Sequence, residues 1–482
     1  MTDNVEPPPH LGRPLEPDVD QWRALATGVI DYLSGVLRDL PAAPAVAFDG
    51  TAELMIDFDV RQAPPENGRP LSELLGVLDR AAGVGINPSS PGYLAYVPGS
   101  GVVSAGIAGL IADVLNRYTG LAFPAPGLVA LEADLLRWLA ELFDLPATAG
   151  GLFTSGGSLA TFSAVVTARH DRLPEDFLRG TLYVTDQVHQ SVVKAARLAG
   201  FPAAAVRVVG CDAGQRMDVE ALERLVELDR RAGRQPFCVV ASAGTTNTGA
   251  IDPLGEIAEL SARERLWLHV DGAYGAAFQL TERGRQRLRH IDRADSLTLD
   301  PHKGFFLPFG TGCLLVRDTA VLRAAHSGDS GDGAHYLQDI TALDLPDFAD
   351  LGPELTRAFR GIRLWLPLHL HGVAAFRAAL DEKLDLAEWA YTALEAEPAL
   401  HVYGQPALTT VAFRCTAGDD ATAELLRRVN AEQRVLLSST RLDGRFVGRI
   451  AILNHRTDRG RVEEAVSAIS RHAQELNPQP LP

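Results

Sequence analysis

Lysine is the informative residue in this chain. Its 482 residues include only three lysines, Lys194, Lys303 and Lys383, and the remaining 42 of its 45 cationic side chains are arginine. Chemistry that needs a primary amine on a side chain therefore has three candidates. Lys303 lies in DPHKG, directly after the strand-like run ADSLTLD. Ligands of open α/β sheets bind at such strand ends. Lys194 in SVVKAARLAG and Lys383 in LDEKLDLAEW read as solvated lysines on helices. Lys303 is accordingly the candidate for a Schiff base with a carbonyl compound.

Further groups fall at the same kind of position. Asp271 ends the apolar run LWLHVD. A carboxylate there can hold a pyridine nitrogen protonated, which makes the ring an electron acceptor, or it can cap a following helix. TSGGS (154–158) joins a strand to the helix LATFSAVVTAR. Its glycines allow close backbone approach, and a helix N-terminus favours a phosphate. The run matches neither G-x-G-x-x-G nor G-x-x-x-x-G-K-[ST], so a dinucleotide or ATP site is not expected. His189 in VTDQVHQSV can lie flat on an aromatic cofactor and touch a substrate carboxylate, or sit on the surface. Thr246 in ASAGTTNTG can contact a phenolic oxygen, and Ser296 and His302, which flank the lysine, can reach a phosphate. A glycine turn, an aspartate, an imidazole and a lysine at successive strand ends together describe a site for pyridoxal phosphate.

The elements that must position these groups alternate in character. Apolar strands near 181–187, 204–212, 236–244, 266–274, 294–303 and 312–318 are interleaved with amphipathic helices from about residue 150, which predicts a mostly parallel sheet covered on both faces. Upstream, helices are expected at 20–38, 71–82 and 126–143, and a Gly/Ala/Val/Ile-rich run at 101–118 reads as a buried helix. Residues 319–358, with HSGDSGDGAHY at the front, read as a long polar loop of the kind that is usually functional or mobile. Helical periodicity returns at 359–396, and strands and helices to 475 make a small α+β unit. The predicted organisation is a flexible tail at 1–17, an N-terminal helical segment at 18–100, a large domain at 101–370 and a small C-terminal domain at 371–482.

The sequence resembles the group II pyridoxal-phosphate-dependent decarboxylases, which include aromatic-amino-acid and glutamate decarboxylases. The resemblance runs from about 20 to 475 through PGYLAYVPGSG, LEADLLRWLAELFDLP, GLFTSGGSLATFSAVVTAR, DQVHQSVVKAARLAGF, GTTNTGAIDPL, HVDGAYGAA, ADSLTLDPHKG and FRGIRLW. It implies a fold type I α/β subunit, with a large domain built on a seven-stranded sheet, a small C-terminal domain and a homodimer with active sites at the interface. It also implies that Lys303 is the Schiff-base lysine, that Asp271 pairs with the pyridine nitrogen and that His189 stacks on the ring. Ser155, Gly156, Gly157, Ser158, Thr246, Ala273, Ser296 and His302 complete the expected cofactor set. Tyr96 and Pro98 are expected to line the substrate pocket.

Two departures mark a divergent branch. Gly304 stands where the familiar signature has an aromatic residue after the lysine. Decarboxylases of this family carry a loop tyrosine that reprotonates the carbanion, whereas related aldehyde synthases carry phenylalanine there. Counting back from FRGIRLW places that position at Phe348, and Tyr336 lies twelve residues earlier. The expected activity is pyridoxal-phosphate-dependent decarboxylation of an L-amino acid or a derivative. The alternatives are decarboxylation coupled to oxidative deamination, which yields an aldehyde, and β-elimination or aminotransfer on a cysteine-type conjugate.

Composition narrows the rest. A net charge of −16 argues against a nucleic-acid footprint. No apolar run reaches the roughly 18 residues of a membrane span. The acidic, proline-rich opening MTDNVEPPPHLGRPLEPDVD does not read as a secretory signal. Four widely spaced cysteines, Cys211, Cys238, Cys313 and Cys415, fit a reducing cytoplasm. No metal site is expected, because HExxH is absent and His369 and His371 stand two apart on a helical segment.

Overall fold

The computed structural model describes residues 15–48, 63–328 and 343–477. Helix α1 (Val19–Asp39) begins on a capping box in which Asp18 accepts from the N–H groups of Asp20 and Gln21, and the Gln21 side chain accepts from the Asp18 N–H. It packs against α2 (Leu71–Ala82), and β1 (Val46–Ala47) pairs antiparallel with β2 (Gly85–Ile86). No residue of α1 is buried in the chain, and Trp22, Leu25, Ile30, Leu33, Val36 and Leu37 stand exposed.

The run at 101–118 is a helix, α3 (Val103–Leu115), but the expectation that it is buried needs correction. Only its small residues Ser104, Ala105, Ala108 and Gly109 face the protein, while Val103, Ile107, Leu110, Ile111, Val114 and Leu115 form an uncovered apolar face. A contiguous patch of that kind marks a surface of association.

Helix α4 (Pro126–Leu142) starts with proline at a position whose N–H has no intrahelical acceptor. It leads into β3 (Gly150–Thr154), α5 (Gly157–Arg172), β4 (Gly180–Thr185), α6 (Gln190–Leu198), β5 (Val206–Val209), α7 (Val219–Arg231), β6 (Gln235–Ser242), α8 (Leu254–Glu264), β7 (Trp267–Asp271), β8 (Ser296–Leu299) and β9 (Gly312–Val316). The seven strands lie in the order β3-β9-β8-β7-β6-β4-β5. All neighbours are parallel except β9, which runs antiparallel to both β3 and β8. Every residue of β4 and β9 is buried, as a sheet covered on both faces requires. The C-terminal ends of β3, β4, β6, β7 and β8 consequently share one edge.

The segment read as a long loop contains a helix, α9 (Thr319–His326), capped by Asp318. The helical stretch beyond it divides at Gly372, whose φ of +77° separates α10 (Ile362–His371) from α11 (Val373–Glu395). The small unit is an antiparallel sheet ordered β10-β11-β13-β12, from β10 (Leu400–Val402), β11 (Thr410–Cys415), β12 (Ser438–Leu442) and β13 (Arg445–Ala451). Helices α12 (Asp419–Ala431) and α13 (Arg459–Leu476) cover it. The first half of α11 adds Phe376, Leu380 and Leu384 to the large core, and its second half adds Leu386, Ala387, Ala390 and Leu394 to the small one.

Lys383, also on α11, corrects a second expectation. It is fully buried, and its ammonium donates to Glu382 Oε2 at 2.7 Å and to the Thr457 carbonyl. No helix among the described residues is long and apolar enough to cross a membrane.

Candidate active site

Loops from the shared strand edge enclose a cavity of about 320 Å³. Ser155, Gly156, Gly157 and Ser158 enter from the β3–α5 turn, His189 from the β4–α6 loop and Thr246 from the loop after β6. Asp271 and Ala273 enter from the end of β7, and His302 and Lys303 from the short helix Pro301–Gly304 that follows β8. Pairing of Ser242 with Asp271, and of Asp271 with Thr298, sets these strand ends at one level. The cavity also takes Gln187, Ser191, Ser242, Thr245, Tyr274 and Asp300, which the sequence reading did not single out.

Asp300 is the most consequential of these. Its carboxylate is nearly inaccessible, and Oδ2 lies 2.9 Å from Lys303 Nζ. The glycine after the lysine is explained by packing: a Cβ on Gly304 would fall 2.3 Å from the Ala277 Cβ. No side chain fits there without moving the helix that carries Lys303.

Asp271 accepts from the Ala273 N–H at 3.1 Å. Behind it on β7, His269 is buried, with Nδ1 2.8 Å from Ser296 Oγ and Nε2 3.3 Å from Thr298 Oγ1. Ser296 also accepts from Trp267 Nε1 at 2.8 Å. The expectation that Ser296 reaches a phosphate fails on this geometry. It begins β8 instead of ending it, pairs with His269 in register, and does not line the cavity.

Burial pushes His269 down to about 4 and His455 down to about 3. The unfolded chain takes up protons on both as pH falls through about 6.5, whereas the fold refuses them until about 4 and 3. Their contribution is thus full above about 6.5 and is lost as the pH drops. Asp252, raised to about 6 by burial, acts in the opposite sense. His189, His302 and His326 are also lowered by burial, and Asp295 and Asp350 are also raised. With five histidines set against three aspartates, the apparent melting temperature should fall between about pH 7 and pH 5. Differential scanning fluorimetry across that range checks it, and His269→Asn should flatten the profile.

His189 is the N-cap of α6. Its Nδ1 accepts from the Ser191 N–H at 3.2 Å and lies 2.7 Å from Ser191 Oγ. An amide can only donate, so Nδ1 is an acceptor and Nε2 carries the ring proton. Burial lowers the pKa, with the nearby Asp271 opposing that shift. The imidazole is therefore neutral and offers one N–H donor.

Arg449 holds the rim together. Its guanidinium is buried on β13 and donates to the carbonyls of Thr246, Asn247 (2.8 Å) and Tyr96 (3.1 Å) and to Ser438 Oγ (3.1 Å). Desolvation pulls its pKa down to about 10. It thereby ties a cavity loop and the turn at Tyr96, whose φ is +54°, to the small sheet. The side chains of Tyr96 and Pro98 do not line the cavity: Tyr96 is exposed, and Pro98 is buried in the turn.

Phe348 does not line it either. The ring is buried in the large core, 4.8 Å beneath the Arg357 guanidinium. Arg357 in turn pairs with Glu132 on α4, and both side chains are inaccessible to solvent. Counting back from FRGIRLW thus leads to a core position. Tyr336 lies outside the described residues.

A sequence model described as the pyridoxal-dependent decarboxylase conserved domain matches residues 59–416. An aromatic-L-amino-acid decarboxylase of Bacillus atrophaeus is 33% identical over 479 residues, which cover 96% of this chain and 98% of the relative. An L-2,4-diaminobutyrate decarboxylase of Rhizobium meliloti (strain 1021) is 31% identical over 489 residues, covering 97% of this chain and 95% of the relative. Among solved structures, Oryza sativa TDC with PLP and tryptamine superposes with a TM-score of 0.89 at 26% identity, covering 96% of this chain and 99% of that one.

Proposed function

The chain belongs to the pyridoxal-dependent decarboxylase family, and on that premise we propose that the cavity around Lys303 removes the carboxyl group of an L-amino acid and releases the amine. The observation that carries this reading is the meeting of a lysine amine, a strand-end carboxylate and a glycine-opened helix N-terminus in one cavity.

These residues fit pyridoxal 5'-phosphate. A Cβ on Gly157 would lie 2.9 Å from Asp300 Oδ2 and 3.3 Å from Ala273 Cβ, so any larger residue at the start of α5 would press on the Asp300 carboxylate. When bound, the cofactor supplies an aldehyde for amines and a conjugated ring that accepts electrons. Lys303 would hold the cofactor through its side-chain amine, the group able to form a Schiff base with that aldehyde. Asp271 keeps the ring nitrogen protonated, which stabilises negative charge arriving in the ring. The N–H groups opening α5, with Ser155, Ser158 and His302, hold the phosphate. His189 would flank the cofactor ring and would orient the substrate carboxylate through its Nε2–H donor. Thr246 contacts the phenolic oxygen, and Ala273 packs beside Asp271.

A second copy of the chain covers the apolar faces of α1 and α3, which makes the working unit a homodimer. The cytoplasm is its compartment, in keeping with four free thiols. Among the described residues nothing favours the oxidative route, since Phe348, on which that alternative rested, is in the core.

Holoenzyme incubated in air with a panel of L-amino acids should release amine and carbon dioxide in equal amounts, without peroxide. Product mass spectrometry reads both. Aldehyde with ammonia and peroxide would overturn the amine-forming reading.

A further inference from the structure

Asp300 places an anion where the proposed reading puts another. Its side chain is only 3% exposed. Oδ2 faces Lys303 Nζ at 2.9 Å and His302 Nε2 at 3.7 Å, while Oδ1 is buried and has no hydrogen-bond partner among the described residues. The carboxylate lies against the first residue of α5, since a Cβ at Gly157 would stand 2.9 Å from Oδ2 and 3.2 Å from Oδ1.

The inference rests on the proposed placement of the cofactor phosphate at this helix start. Once Lys303 is bonded to the cofactor, its nitrogen keeps at most one proton, so Asp300 no longer faces the full ammonium of the free lysine. The other titratable groups facing Asp300 are His302 beside it, His189 at the start of α6 and Cys313 on β9, with Asp271 acting on the same imidazole from β7. Burial lowers both imidazoles and raises the thiol, so none of them adds a cation beside Asp300. A fully ionised phosphoryl group beside a buried carboxylate would set like charges together in a poorly screened site. It would also leave Oδ1 without a donor.

One proton answers both demands. We infer that Asp300 accepts a hydrogen bond from a P–OH group, so that the cavity holds the cofactor phosphoryl group as its monoanion. The proton is placed on the phosphoryl side because an ordinary phosphate monoester keeps its second proton to about pH 6. Asp300 is in this sense a positioning residue that selects a protonation state of the ligand.

Phosphorus-31 spectra of the wild-type holoenzyme, titrated from about pH 5 to pH 9, test it. The bound resonance should stay at the monoanion position past about pH 8, whereas in Asp300→Asn it should move to the dianion position near neutrality. A wild-type resonance at the dianion position, or identical spectra in the two proteins, would overturn the inference. Borohydride reduction followed by peptide mapping separates this failure from the larger one. Cofactor fixed to Lys303 with a dianion resonance sinks only the role of Asp300; cofactor absent from Lys303 sinks the placement as well. The wild-type titration stands without the variant, should the variant fold poorly.

Discussion

Lys303→Ala should lose the visible absorbance of the holoenzyme, lose borohydride-fixable cofactor and drop kcat/KM by at least about a thousandfold. The other two lysines cannot substitute. Lys194 is exposed on α6, and Lys383 is fully buried with its ammonium committed to Glu382 and to the Thr457 carbonyl. The change also leaves Asp300 buried without its cation, so some loss of thermal stability should accompany the loss of activity. Peptide mapping after reduction distinguishes the two effects. Fixation persisting in the folded variant would remove Lys303 from the reaction.

The second large effect is on stability. Arg357→Met and Glu132→Gln should each destabilise the protein by about 3–5 kcal/mol, because each leaves one charge buried without its partner. The pair has further work to do. Arg357 also donates to the Phe153 carbonyl at 3.3 Å, and Glu132 Oε2 accepts from the Gly361 N–H at 3.3 Å. It thereby fixes α4, the end of β3 and the segment entering α10 against one another, one residue upstream of Thr154 and the glycine turn. The double replacement should recover part of the loss, since no lone charge then remains. Denaturant unfolding of the single and double variants measures it. A change below about 1 kcal/mol in both single variants would show that the pair behaves like an exposed one.

Much of the cavity was legible because chemistry at a strand end needs only the strand and the residue after it. Asp271, His189 and Lys303 each follow an apolar run, and the parallel order brings such ends to one edge. Ser296 misled because a strand boundary decides which end of the strand a residue occupies. It lies at the start of β8, level with His269. Asp300 was passed over because its significance is a relation to Lys303 and Gly157 that no spacing displays. Lys383 was misread because its polar neighbours in LDEKLDLAEW conceal that α11 serves two cores at once. Phe348 shows the limit of counting, which finds a position along the chain but not the direction a ring faces. The Gly/Ala/Val/Ile run at α3 announced burial, yet its apolar face lies bare within a single chain.

The distribution of lysines reaches beyond catalysis. With Lys383 closed to solvent and Lys303 inside the cavity, the outer surface presents one lysine amine, Lys194, amid arginines that stay protonated and react poorly with carbonyl compounds. Free aldehydes therefore find few places to attach. Excess cofactor should load the cavity with little decoration of the exterior beyond Lys194, and lysine-directed coupling to a solid support should anchor the molecules through α6.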